Sequence, residues 1–185
     1  MSATITTPVV PTGRWSVDPA HSKVGFAVKH MGIATVRGEF TQFDGVLEVG
    51  ETLEASKAYG TVKTLSVDTN EPQRDGHLRS PDFFDVEQYP EMTFESTQIE
   101  ALDEDEFRIT GNLTLHGVTN EVVLHAEVEG TDVDPWGNER VGLEITGQLS
   151  RGDYGMKFNQ ALGSGNMLVA DKVSLALDVS AVKQS

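Results

Sequence analysis

The sequence contains no cysteine. That excludes disulfide bridges, thiolate metal ligands and a cysteine nucleophile. Folding needs none of them, because a domain of this length buries roughly 70% of the surface its unfolded chain exposes. Basic residues are scarce: 14 Lys and Arg stand against 29 Asp and Glu, a formal net charge of −15. Nucleic-acid binding rests on neutralising phosphates, so this balance argues against it. It disfavours an anionic membrane surface on the same grounds. Long hydrophobic runs are missing too. No segment approaches the ~18 apolar residues that span a bilayer, and stable membrane insertion is not expected. Residues 1–14 have neither the charged start nor the apolar centre of a secretory signal, so the chain reads as cytoplasmic. The sequence divides into a flexible, Pro-broken segment over 1–13 and one domain over 14–185.

Alternation of period two dominates the rest. Val24, Phe26 and Val28 share one strand face with His30, and Phe107, Ile109, Leu113 and Leu115 share another. Val122, Leu124, Ala126 and Val128 follow, then Val141, Leu143 and Ile145, then Val173, Leu175, Leu177 and Val179. Such patterning marks half-buried strands. Weaker strands fit Trp15–Asp18, Ala34–Phe40, Gly45–Val49, Tyr59–Val67 and Glu91–Ile99, for about ten in all. One or two short helices accompany them. The first opens at Asn70 as N-cap, with Gln73 completing a capping box and Pro81 ending the segment near Ser80. The second, or an ordered loop, lies between Lys157 and Leu162. So little helix cannot cover the sheet, which must cover itself as a sandwich or a closed barrel. Short consecutive connections favour an antiparallel up-and-down barrel, whose interior is either filled or holds one small ligand.

Motifs for chemistry are weak. None of the five histidines forms a compact metal-ligand pair, so no metal is expected. Asp18, His21 and Ser22 are the residue types of a hydrolytic triad, but adjacent His and Ser in one turn suit a side-chain-closed turn better. Gly163-Ser164-Gly165 lacks the third glycine and βαβ context of a dinucleotide site. The segment Arg74–Val86 is odder, because charged residues flank two adjacent phenylalanines in the one helical region. It reads as a plug in which Leu78, Phe83 and Phe84 close a barrel end, or as a gate with those apolar residues inward and Arg74, His77 and Arg79 near a polar head group; the two are not exclusive.

The stretches Trp15-Ser16-Val17-Asp18-Pro19-Ala20-His21-Ser22, Arg74-Asp75-Gly76-His77-Leu78-Arg79-Ser80-Pro81-Asp82-Phe83-Phe84, Leu115-His116-Gly117 and Arg151-Gly152-Asp153-Tyr154-Gly155-Met156 resemble the YceI-like family. Its members are lipocalin-like barrels that bind polyisoprenoid or other amphiphilic lipids. The resemblance spans about residues 15–182 and turns the fork towards a hollow barrel. It implies an apolar tunnel lined or closed by Phe26, Val28, Phe40, Leu78, Phe83, Phe84, Phe94 and Phe158. His21, His30, Arg74, His77, Arg79 and Tyr154 would give polar contacts at its ends. It implies binding without catalysis and no cofactor, the lipid itself being the ligand. Two alternatives stay open. One is an enzyme on such a lipid, with His30 or His77 as acid or base. The other is a filled-core interaction module. Exposed edges also leave room for a homodimer.

Overall fold

A computed structural model of the protein describes residues 9–184. Eleven strands form one antiparallel sheet: β1 (Gly13–Val17), β2 (Lys23–His30), β3 (Ala34–Phe40), β4 (Phe43–Val49), β5 (Lys57–Lys63), β6 (Val67–Asp68), β7 (Glu91–Ala101), β8 (Glu106–Leu115), β9 (Val118–Val133), β10 (Glu139–Ser150) and β11 (Val169–Lys183). The order β1-β4-β5-β7-β8-β9-β10-β11 closes through a β1–β11 pairing, with Trp15 opposite Lys183 and Val17 opposite Ala181. This is the closed antiparallel barrel that the short connections favoured and the family resemblance implied, with eight strands in the ring.

The three remaining strands extend members of that ring. β1 and β2 both run antiparallel to β11, so together they form one long strand broken by a 3-10 turn at Pro19–His21. β3 and β4 return along them, and β5 and β6 follow, broken at Thr64–Ser66. The single strand expected over Tyr59–Val67 is therefore two. The breaks line up in space, since Thr41 N donates to Ser66 O and Lys63 N to Gln42 O. Past this line β5 and β7 part. Thr64, buried, holds the fork by donating its N to Pro90 O and its Oγ1 to Tyr89 O.

Residues 69–90 fill the wedge as a lid that contains helix α1 (Pro72–Arg79). The cap expected at Asn70 belongs instead to Glu71, whose carboxylate accepts from Arg74 N. Asn70 is left-handed, with φ of 64°, whereas an N-cap needs extended backbone such as Glu71 adopts. Lys157–Leu162 is a loop, not a helix. Asn159 acts there as a substitute strand partner: its Nδ2 donates to Val169 O and its Oδ1 accepts from Val169 N. Of the segment expected to be flexible, residues 1–8 lie outside the described residues. Val10 is buried in the core, and Pro11 O accepts from the indole of Trp15.

Two core clusters close the barrel. Trp15, Val49, Phe107, Val128, Val141 and Ala181 pack at the end away from α1. Leu113, Leu115, Val122, Tyr154 and Met156 pack at the lid end, against Phe84 and Phe94.

Candidate functional site

A cavity of about 270 Å³ lies among these inward faces. It exceeds the roughly 150 Å³ apolar cavity that stays dry and takes benzene. Its wall is built by the strand alternation itself: Val24, Leu47, Val62, Met92, Ile99, Leu124, Ile145, Leu177 and Val179 all point in. Ser56, Thr61, Thr93 and Asp44 are its polar members, and Asp44 is its only ionisable one. The space persists partly because Gly45 and Gly60, paired across β4 and β5, face inward without side chains. A Cβ on Gly60 would meet the Asp44 carbonyl oxygen at 2.7 Å.

Of the apolar residues expected at the site, Phe26, Phe40 and Phe94 stand on this wall. Phe84 packs edge-on against Phe40 with centroids 5.5 Å apart, and Phe40 lies 5.5 Å from Phe26, so a file of rings runs from the cavity into the lid. Phe83 and Phe158 lie beyond, in a cluster with His77 at centroid distances of 4.9–5.3 Å. Val28 pairs with Val36 and Val173 nearer the lid end and is not on the wall. Leu78 is half-buried in the lid, its carbonyl accepting from Phe84 N. The wall residues absent from the expected set carried their signal in the same period-two runs. Only closure of the ring distinguishes a lining leucine from one that fills a core.

None of the expected polar residues lines the cavity. The two lid arginines are tied to the exposed edge of the broken third strand. Arg79 donates to Leu65 O and Val67 O, and Arg74 to Thr69 O and Thr69 Oγ1. Buried Asp75 accepts from both the N and the Oγ1 of Thr69, clamping α1 to the same edge. His77 Nε2 bonds Asp82 Oδ2 at 2.8 Å. Buried Arg151 lies over the Phe83 ring and donates to the carbonyls of Met156, Val169 and Ala170, and burial lowers its pKa. His30 is half-buried in the strand pair with Ala34 and Val169. Tyr154 is 1% exposed and its hydroxyl has no hydrogen-bond partner among the described residues; burial pushes that phenol's pKa up.

His21 sits at the break of the first long strand. Its Nδ1 bonds Asp18 Oδ2 at 2.7 Å, but the Ser22 hydroxyl is spent on the Ser180 backbone, so no triad assembles. Arg140 bridges Asp18 and Asp134 and, with His21, holds the Asp18 carboxyl down at about 2. Among the described residues no three His, Asp or Glu side chains group to hold a metal ion. No described helix is long and apolar enough to cross a membrane.

Comparison with known proteins adds the relationship. The family model of the YceI-like domain matches residues 15–181. The YceI protein of Escherichia coli O157:H7 is 41% identical over 165 residues, covering 89% of this chain and 83% of its own. The Campylobacter jejuni YceI crystal structure superposes with a TM-score of 0.73 at 32% identity, over 91% of this chain and 96% of that one. A polyisoprenoid binding domain from Saccharophagus degradans shares the fold, with a TM-score of 0.68 at 17% identity, over 92% and 98%.

Proposed function

The chain belongs to the YceI-like family, and from that premise we propose that it binds a polyisoprenoid or similar long-chain amphiphilic lipid inside the barrel, without turning it over. The observation that carries this reading is the wall, hydrocarbon on nearly every side with one ionisable residue. Such a surface rewards burial of an apolar tail, and its one ionisable residue, Asp44, is exposed between inward-facing Phe43 and Gly45 and so turns away from a bound tail. The fold shared with a domain described as polyisoprenoid binding points the same way.

Each buried methylene contributes about 0.8 kcal/mol, so ten tail carbons give about 8 kcal/mol, near micromolar affinity before association costs. A cavity of about 270 Å³ holds a segment of such a tail. A longer one enters along the file Phe26–Phe40–Phe84 as those rings rotate towards the lid. Tyr154, with its unpartnered buried hydroxyl, is the polar group we assign to the head end.

Uptake of a fluorescent polyprenyl probe, together with native mass spectrometry of the purified protein, tests this. The wild type takes up one probe per chain. Val62→Trp fills the cavity and loses uptake with its circular dichroism unchanged, and Tyr154→Phe weakens uptake. Equal uptake by Val62→Trp places the probe elsewhere and defeats the proposal.

A further inference from the structure

The tip at the lid end and the loops at the far end carry opposite chemistry, although the lid brings Glu71, Asp75, Asp82, Asp85 and Glu87 to the tip's end. Away from α1, the β4–β5 and β7–β8 loops hold Glu51, Glu54, Asp103, Glu104 and Asp105. At the lid end the β2–β3 turn meets the loop ahead of β11. Met31 N donates to Leu168 O at 2.9 Å, and Asn166 Nδ2 donates to Met31 O at 3.1 Å. This joint tip exposes Ile33 (79%), Met167 (46%) and Met31 (36%) to solvent.

Its charge departs from that of the whole chain. Residues 19–38 and 154–170 contain no Asp or Glu. Lys29, Arg37 and Lys172 lie on three adjacent strands beside the tip, and Lys157 lies in its loop. Among the described residues none of the four has a carboxylate partner, whereas Lys57, Arg108 and Lys183 towards the other end are each paired. The carboxylate flanking Lys172, that of Asp171, is occupied by Ser150 Oγ and Gly152 N.

We propose that this tip docks on the surface of an anionic lipid bilayer. Ile33 and Met167 enter the interface while the four cations meet the headgroups. Exposed apolar side chains ringed by unpaired Lys and Arg are the chemistry of peripheral membrane attachment. The net charge of −15 does not oppose it, because at physiological salt screening acts over roughly 8 Å and the β4–β5 and β7–β8 loops face away, while of the lid's carboxylates Glu71, Asp75 and Asp82 are engaged by Arg74 N, Thr69 and His77. Those loops instead orient the molecule, tip first. Docking places the lid end against a store of amphiphilic lipid; that consequence, unlike the docking, rests on the function proposed above.

The test is co-sedimentation of the full chain with vesicles of phosphatidylcholine containing about 30% phosphatidylglycerol, against phosphatidylcholine alone, in low and high salt. The wild type binds the anionic vesicles, and salt releases it. Combined Lys29→Glu, Lys157→Glu and Lys172→Glu changes weaken binding about tenfold or more, as does the Ile33→Ser, Met167→Ser pair. Both variants keep the wild-type circular dichroism and probe uptake from solution. Trp136, 81% exposed in the β9–β10 turn at the far end, stays open to acrylamide quenching in the bound state. Absence of binding to anionic vesicles, undiminished binding by the charge-reversed variant, or shielding of Trp136 overturns the docking. Docking without probe uptake by the wild type leaves it standing and removes the cavity reading instead.

Discussion

Asp18 shows how one residue couples three elements. Its carboxylate accepts from Arg140 Nη1 in β10, from His21 in the turn that breaks the first long strand, and from Ala20 N. The Arg140 hydrogen bond, then that of His21, brings its pKa from 3.8 to about 2. A carboxylate depressed on folding adds stability that is complete above its unfolded pKa and is lost as pH falls through the folded one. Unfolding free energy should therefore decline between about pH 4 and pH 2. An Asp18→Asn variant should start lower at neutral pH and decline less over that window, as followed by urea denaturation at stepped pH. An equal decline in both proteins would assign the acid sensitivity to other carboxylates, such as Asp134, also held at about 2.

At the scale of elements, the lid is fastened by polar groups more than by its helix. Helix α1 has eight residues, and only Asp75 among them is buried. Isolated helices this short are marginal in water. What holds it is the unpaired edge of β6 and the residue after it: Val67 O takes a donor from Arg79 and Thr69 O one from Arg74, while Asp75 takes those of Thr69. Removing Asp75 strands a buried backbone N–H and a hydroxyl. Asp75→Ala is expected to cost roughly 2–3 kcal/mol and to speed hydrogen exchange of the amides over residues 69–86 ahead of those in β8 and β9. Uniform acceleration across the sheet would mean that the lid does not open as a separate unit.

For the whole molecule, two closed ends with a gap between them make stability and binding one problem. A ligand that fills the space binds the folded chain alone, so at about 100 times its dissociation constant it adds about 2.7 kcal/mol. The melting temperature should rise with the polyprenyl probe in the wild type and stay fixed in Val62→Trp. A rise in both would point to binding on the outer surface. Charge is likewise a property of the whole. Taken as a sum, −15 argues against an anionic surface as partner, yet folding sends the β4–β5 and β7–β8 acidic loops to one end and gathers unpaired Lys29, Lys157 and Lys172 about the tip at the other.

The sequence by itself determined what depends on near neighbours. Alternation along Phe107–Leu115 or Val173–Val179 decides which side chains face inward, because successive strand residues point to opposite sides. From that, the short connections and the motif resemblance, the up-and-down barrel and its lid were legible. Tertiary structure alone decided the contacts between distant parts of the chain. It set Phe26, Phe40 and Phe94 on the cavity wall but Phe83 and Phe158 outside it, and it spent Arg74 and Arg79 on a strand edge that exists only because the third long strand breaks. The reason is physical: a side chain's direction is fixed by the backbone that carries it, while its partner is fixed by the closure of the ring.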